Sequence, residues 1–158
     1  MGDLFPLGTG IGRIRGTLLV LKEHSGEMEL SELAAEVDEE IDDLLPIIDA
    51  CKLLKFITLR GPMVRLTPKG LEMAKGTSQR LIREGLQKIE PFKTALQVID
   101  ANEVPTDDLL SSLHGKKIVV HGDRTTNDAL IKKMLIRIGV RSKLLRYNPS
   151  TDLWSRRS

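Results

Sequence analysis

The chain of 158 residues is long enough for one ordinary domain or two small ones. Its apolar content of 41% is sufficient for a core, and with only 3% aromatic residues that core must consist mainly of leucine, isoleucine and valine. No apolar run approaches the ~20 residues of a membrane span, and the first residues lack the basic and apolar segments of a signal peptide. We therefore expect a soluble, cytoplasmic protein that does not insert into a membrane.

The first half of the sequence predicts a helix-turn-helix followed by a β-hairpin wing. Apolar residues at steps of three and four indicate helices, and Gly61-Pro62 between two short apolar runs indicates a hairpin turn. Ser31 and Asp38 are suitable N-caps, and Thr67-Pro68 fits the start of a further helix. The predicted elements are a helix over Ile11–His24, a strand at Met28–Leu30, helices over Ser31–Val37 and Glu39–Leu54, strands over Lys55–Arg60 and Met63–Leu66, and a helix over Pro68–Lys75.

The third of these helices has the clearest apolar periodicity. Its apolar side chains recur at steps of three and four, so we expect them to form one buried face. The single cysteine of the chain belongs to this set, which predicts a small core residue and excludes an internal disulfide. The residues of the predicted face are Ile41, Leu44, Leu45, Ile48 and Cys51.

A longer helical segment follows over residues 78–101, and Pro91 should kink or split it. Its apolar positions exceed what one small unit can cover, which predicts a homodimer formed through this segment. These positions are Ile82, Leu86, Ile89, Leu96 and Ile99.

The last third of the chain repeats the layout of the first. It contains a short helix over Asp107–Leu113, a longer helix over Asn127–Ile138 capped by Thr125 or Thr126 and ended by Gly139, and a hairpin over Ser142–Tyr147 and Asp152–Trp154. His114–Gly122 has no counterpart in the first half and is interpreted as an extra strand. A second winged-helix-like unit and a helical extension of the first unit both fit this pattern.

The predicted fold is mainly α with small β-hairpins (α+β). It comprises an N-terminal winged helix over residues 8–76, a connecting helical segment over 77–103, and a second, winged-helix-like C-terminal unit over 104–158.

Charge is distributed unevenly along the chain, although its net charge is only +2. Residues 1–70 hold 8 Lys/Arg and 12 Asp/Glu, whereas residues 71–158 hold 16 and 10. The acidic residues of the third helix would repel DNA phosphates and are candidates for protein binding: Glu39, Glu40, Asp42, Asp43 and Asp49. The basic residues of the last third are candidates for nucleic-acid binding: Lys132, Lys133, Arg137, Arg141, Lys143 and Arg146. For both sets the simpler alternative is an ordinary solvated surface.

No pattern of catalytic, cofactor-binding or metal-binding residues is present. His24, His114, His121 and Cys51 lack the spacing of metal ligands. The chain contains no Gly-x-x-x-x-Gly-Lys-Ser/Thr loop for nucleotide phosphates. The acidic run from Asp38 begins at a helix N-terminus, where the helix dipole favours negative charge. We therefore expect no enzymatic activity, no cofactor and no metal.

Several stretches resemble the C-terminal AAA-associated domain, a winged-helix type module usually fused behind the ATP-binding subunit of ABC importers of the nitrate, sulfonate and taurine type. The resemblance extends roughly from Gly10 to Trp154 and, without the phosphate loop, implies a free-standing copy of the module. It is carried by Leu30–Ala34, Ile41–Pro46, Leu53-Leu54, Arg65–Gly70, Gly139, Leu144-Leu145 and Tyr147-Asn148.

The function that these features favour is a non-catalytic regulatory or protein-interaction module. The partner implied by the resemblance is an ABC-type ATPase subunit. The alternative is a winged-helix DNA-binding transcriptional regulator that uses the basic C-terminal unit.

Overall fold

A computed structural model describes residues 5–6, 9–76, 79–99, 102–115 and 124–156. The chain forms two compact units: one is Gly8–Gly85, and the other is Leu86–Ser158 together with Met1–Leu7. The residues of the predicted connecting segment are thereby divided between the two units. The structure is mainly helical with two small antiparallel sheets, which is the predicted fold class.

The first unit contains a three-stranded antiparallel sheet in the order β1 (Glu27–Glu29), β3 (Met63–Leu66), β2 (Ile57–Arg60). The hairpin turns at Gly61, where φ is +57°, a conformation that glycine adopts without steric cost. After the hairpin, the hydroxyl of Thr67 accepts a hydrogen bond from the backbone N–H of Gly70 at 3.0 Å and caps the next helix, as predicted. The elements are α1 Ile11–Glu23, β1 Glu27–Glu29, α2 Leu30–Glu36, α3 Ile41–Leu53, β2 Ile57–Arg60, β3 Met63–Leu66, α4 Pro68–Lys75 and α5 Arg80–Leu86.

The two other predicted N-caps of this unit are wrong. Helix α2 begins directly after β1 with Glu29 at its N-cap, so Ser31 lies inside the helix. The backbone N–H of Leu30 donates to the carbonyl of Pro62, which fixes this start against the hairpin. Asp38 has a φ of +56°, and Glu40 is the N-cap of α3 without a side-chain hydrogen bond.

The predicted buried face of α3 is wrong by part of a turn. Leu44, Ile48 and Cys51 are buried as expected, and Ile47 and Ala50 are buried with them. Ile41 and Leu45 are instead 43% and 39% exposed. The helix has more apolar residues than its packed side can hold. Periodicity alone therefore assigns the wrong residues to the buried face.

The second unit repeats the element order of the first: helix, strand, helix, helix, strand, strand. Its sheet has the order β4 (Val104–Pro105), β6 (Leu153–Arg156), β5 (Leu145–Asn148), again with the last strand in the middle. Pro91 precedes its first helix, which confirms that the segment over residues 78–101 is split there. The elements are α6 Phe92–Val98, β4 Val104–Pro105, α7 Thr106–Gly115, α8 Arg124–Met134, a π-helix over Leu135–Val140, β5 Leu145–Asn148 and β6 Leu153–Arg156.

The ends of the long helices correspond closely in the two units. Lys55 follows α3 with a φ of +66°, and Lys143 follows the π-helix with a φ of +67°. The next backbone N–H in each case donates to a carbonyl five residues earlier, from Phe56 to Cys51 at 2.9 Å and from Leu144 to Gly139 at 3.0 Å. This pairing is a helix-terminating motif with a left-handed residue. Helix α3 therefore corresponds to α8 with the π-helix.

Other predictions for the second unit need correction. Gly139 does not end its helix: it is buried inside the π-helix, and an added Cβ would lie 2.6 Å from Cδ1 of Leu145. The helix α8 begins at Arg124, so Thr125 and Thr126 are not its cap. His114 and Gly115 belong to α7, while the rest of the predicted extra strand lies outside the described residues.

The apolar residues that suggested a homodimer are already buried within the chain. Each is at most 7% exposed, so none of these side chains needs a second copy to remove it from water. The reasoning that led from this segment to a homodimer therefore does not hold. The residues are Ile82, Leu86, Ile89, Leu96 and Ile99.

Candidate protein-binding face

An exposed strip of helix α3 combines apolar and charged side chains. Residues separated by three, four or seven positions share one side of an α-helix. Ile41 and Leu45 are four apart, and Asp42 and Asp49 are seven apart on the neighbouring side of the exposed half. Lys52, also exposed, lies at the C-terminal end of the same strip. We call this set, Ile41, Asp42, Leu45, Asp49 and Lys52, the α3 face.

The exposed apolar residues of this face are unusual for the helix that carries them. Leu44, Ile48 and Cys51, on the adjoining side of the helix, are no more than 1% exposed. Burial also raises the pKa of the Cys51 thiol to about 12, so this cysteine is an inert core residue. The helix is therefore firmly anchored by this side, and Ile41 and Leu45 lie in solvent along its edge.

The remaining acidic candidates lie beside the α3 face or away from it. Glu40 and Asp43 are exposed at the N-terminal end of the helix. Glu39 is half-buried, and its Oε1 lies 2.6 Å from Nη1 of Arg13 on α1. This ion pair joins the start of α3 to α1, so Glu39 has a structural partner inside the unit.

The basic candidates lie on the corresponding helix of the second unit and on its hairpin. Lys133, Arg137 and Arg141 are exposed at intervals of four, and Leu130, three residues before Lys133, is 37% exposed. We call these four residues the α8 face. Lys132 differs from them, since it is half-buried with Nζ 5.4 Å from the centre of the Tyr147 ring.

The two other basic candidates belong to the turn and hairpin that follow. Lys143 is exposed at the left-handed position, and Arg146 is exposed on β5. The structure thus places five of the six basic candidates at exposed positions of one unit.

A hydrogen-bonded cluster beside this hairpin includes residues that sequence patterns did not reveal. Oδ1 of Asp152 accepts hydrogen bonds from the hydroxyl of Thr106 at 2.5 Å and from that of Tyr147 at 2.8 Å. Nε1 of the buried Trp154 donates to the Thr106 hydroxyl at 2.8 Å. The hydrogen bond from Thr106, and then that from Tyr147, lowers the pKa of Asp152 below its ordinary value.

The aromatic pair of this cluster is part of the packing. The ring centres of Tyr147 and Trp154 are 4.5 Å apart, and Trp154 is fully buried. Trp154 is therefore not available for stacking on a nucleic-acid base. A signal for Asp152 was present in the sequence, because aspartate in a turn tolerates the left-handed conformation, and its φ is +56°.

The described histidines, His24 and His114, and Cys51 are not grouped as metal ligands. Among the described residues there is no cluster of three or more His, Cys, Asp or Glu side chains that could hold a metal ion. Nε2 of His114 contacts Oδ1 of Asp128, and Nε2 of His24 lies 3.9 Å from Glu36. His121 lies outside the described residues.

The chain matches a protein-family model. The family model described as the C-terminal AAA-associated domain matches residues 31–137, which is more than half of the chain and runs from α2 into the π-helix. No curated protein and no solved structure matches the chain. Within the described residues, the helices are too short or too polar to cross a membrane.

Proposed function

Since the chain belongs to the family of C-terminal AAA-associated domains, we propose that it is a non-catalytic regulatory module that binds a protein partner. Each unit is then a winged helix, and the partner is the ATP-binding subunit of an ABC-type transporter. The binding surface is the α3 face.

The observation that carries this proposal is the exposure of Ile41 and Leu45. Apolar side chains in the middle of a charged helix face are removed from water when a partner covers them, and that burial is favourable by roughly 25 cal/mol per Å². Asp42 and Asp49 beside them supply the charges that orient a partner. A small apolar centre with charged residues around it is the common arrangement of protein interfaces.

The same face is unsuited to duplex DNA. In a helix-turn-helix protein the second helix of the motif enters the major groove, with its N-terminal residues at the base edges. Here that end carries Glu40, Asp42 and Asp43, all exposed. Their carboxylates would meet a backbone with one negative charge per ~1.7 Å of helix axis. A protein surface fits these residues better.

A binding assay with the purified ATP-binding subunit of a nitrate, sulfonate or taurine type importer tests the proposal. We expect saturable binding, and we expect the double variant Ile41→Ser, Leu45→Ser to weaken it by at least about tenfold, equivalent to about 1.4 kcal/mol.

The matched control for this experiment is Leu19→Ser. Leu19 on α1 is 40% exposed, nearly the same as Leu45 at 39%, but it lies outside the α3 face. Its substitution should leave the affinity unchanged. The proposal is wrong if the ATPase subunit does not bind, or if the control weakens binding as much as the double variant.

A second candidate function, DNA binding as a transcriptional regulator, is favoured by a different observation. Lys133, Arg137 and Arg141 are exposed on the helix that corresponds in position to α3. A mobility shift on random duplex DNA at two salt concentrations tests this alternative. If the α8 face binds phosphates, Lys133→Glu with Arg137→Glu abolishes the shift. Replacing the same residues with glutamine should lower the salt slope of the affinity by about 0.9 for each phosphate that is no longer neutralised.

A further inference from the structure

The corresponding helices of the two units carry opposite charge. Helix α3 and α8 with its π-helix occupy the same place in the element order, and both end in a lysine with positive φ, Lys55 and Lys143. Yet the α3 face carries Asp42 and Asp49 against the single cation Lys52, whereas the α8 face carries only basic charged residues. One chain thus contains two similar surfaces with opposite sign.

Both surfaces also contain exposed apolar side chains. On the α3 face these are Ile41 and Leu45, which are 43% and 39% exposed, and on the α8 face it is Leu130, which is 37% exposed. Charged side chains lie within one helical turn of each. Two helices of this kind can bury the apolar side chains against one another while carboxylates meet ammonium and guanidinium groups.

We propose that the occupant of the α3 face is a second copy of this chain, which presents its α8 face. The inference rests on the proposed function in one respect, namely that the α3 face is a docking surface. Charge complementarity selects the occupant: Arg137 and Arg141 can form charge-assisted hydrogen bonds with carboxylates, and the chain itself supplies them. Each copy carries both faces, so two copies can form two equal contacts by reciprocal exchange.

This pairing makes self-association and partner binding exclusive. Because Ile41 and Leu45 would be covered by the second copy, the paired form cannot use the same side chains for an ATPase subunit. Adding the ATPase subunit should therefore convert the pair into a one-to-one complex. The fraction of the module that is free to bind the ATPase subunit then depends on the concentration of the chain.

A charge-exchange experiment on the full chain tests the pairing by analytical ultracentrifugation. One variant carries Asp42→Lys with Asp49→Lys, and the other carries Lys133→Glu with Arg137→Glu. Each variant alone opposes like charges in both contacts, so we expect its association to weaken by at least about tenfold. In an equimolar mixture, a mixed pair contains one copy of each variant. The two exchanged faces meet in one contact and the two unexchanged faces meet in the other, so both contacts join opposite charges. We expect the mixture to pair with an affinity close to that of the wild type.

Two controls separate this effect from net charge and misfolding. Glu23→Lys with Glu103→Lys changes the net charge by the same amount as the first variant at two other exposed carboxylates, and it should leave pairing unchanged. A chain that carries all four exchanges presents reversed but complementary faces and should pair again. Its recovery also shows that the exchanged residues are compatible with folding.

Two results overturn the inference. One is a wild-type chain that remains a monomer at high concentration and low salt. The other is a mixture of the two variants that does not recover pairing while the four-fold exchange is folded. In either case the ATPase-binding assay with Ile41→Ser and Leu45→Ser remains the separate test of the α3 face, so failure of the pairing and failure of the proposed function are distinguishable.

Discussion

The hydroxyl of Thr106, at the start of α7, donates a hydrogen bond of 2.5 Å to the carboxylate of Asp152, which lies 46 residues later in the turn before β6. The same hydroxyl accepts a hydrogen bond from the indole of Trp154. Thr106 thereby links a turn, a strand and a helix of the second unit. This hydrogen bond and that from Tyr147 both end on Oδ1 of Asp152 and favour the ionised form of its carboxyl group.

A pH-dependent stability follows from this link. The pKa of Asp152 is lowered from its ordinary value of 3.8, first by the hydrogen bond from Thr106. A lowered pKa in the folded state contributes stability above the ordinary value, and this contribution is lost as the pH falls through the folded pKa. We expect Asp152→Asn, which tolerates the positive φ, to lower the thermal midpoint at pH 7, with a smaller difference below about pH 4.

Thermal melts of both proteins between pH 7 and pH 3 measure this difference. Glu103→Gln, at an exposed carboxylate of the same unit outside both faces, is the matched control and should have little effect across the range. A difference for Asp152→Asn that stays constant down to pH 3 would show that the carboxylate charge has no part in it.

The corrected orientation of α3 predicts different costs for two neighbouring leucine-sized residues. Ile48 is 1% exposed, and its truncation to alanine leaves a cavity, so Ile48→Ala should cost about 2–5 kcal/mol. Leu45 is 39% exposed, and Leu45→Ala should cost less than about 1 kcal/mol. Denaturant unfolding of the two variants measures both costs. Equal costs would contradict the exposed position of Leu45 and indicate that it is a core residue.

Gly70 lies where there is no room for a side chain, and a comparison with Gly16 tests this steric constraint. A Cβ added at Gly70 would lie 2.0 Å from the backbone oxygen of Phe56, which cannot move without shifting the strand. Gly70→Ala should therefore destabilise the protein by about 1–3 kcal/mol or more. At Gly16, inside α1, an added Cβ has no atom within 4 Å, so Gly16→Ala should stabilise by roughly 0.5–1 kcal/mol. Opposite signs in denaturant melts are the expected result.

The chain should neither bind nor hydrolyse ATP by itself. It lacks a Gly-x-x-x-x-Gly-Lys-Ser/Thr loop, whose backbone N–H groups and lysine would hold the phosphates. Isothermal titration with Mg-ATP should give no saturable heat at micromolar concentrations, and a phosphate-release assay should remain at background. Stoichiometric binding of ATP would contradict this prediction and require a phosphate site of another kind.

The order of elements was predictable because it depends on local signals. The cap formed by Thr67, the turn at Gly61 and the split at Pro91 each follow from the chemistry of one or two residues. Apolar periodicity then located the helices. The bounds of strands and the start of α2 were less accurate, because hydrogen bonds from distant residues, such as that of Leu30 to Pro62, determine them.

The charged residues of the candidate site could be predicted from the sequence, but its exposed apolar residues could not. Exposure of Asp42 and Asp49 follows from the cost of burying a carboxylate. Exposure of Ile41 and Leu45 could not be read from the pattern, since an apolar residue at a helical interval has the same signature in the core and at an interface. The ion pair of Glu39 could not be predicted from the sequence, because its partner, Arg13, is 26 residues away along the chain. Sequence alone therefore places Glu39 among the exposed carboxylates.

The π-helix over Leu135–Val140 determines where the basic side chains of the second unit lie. An α-helix has 3.6 residues per turn, so residues four apart advance slightly beyond one turn, whereas a π turn contains more residues, and the same interval falls short of one. The interval from Lys133 to Arg137 crosses the junction at Leu135, and the interval from Arg137 to Arg141 begins inside the π-helix. The directions of Arg137 and Arg141 about the helix axis therefore differ from those in a continuous α-helix. The irregular backbone that sets these directions lies against the core, where Gly139 approaches Leu145, so a core mutation that changed it would redirect the surface charge without altering a single basic residue.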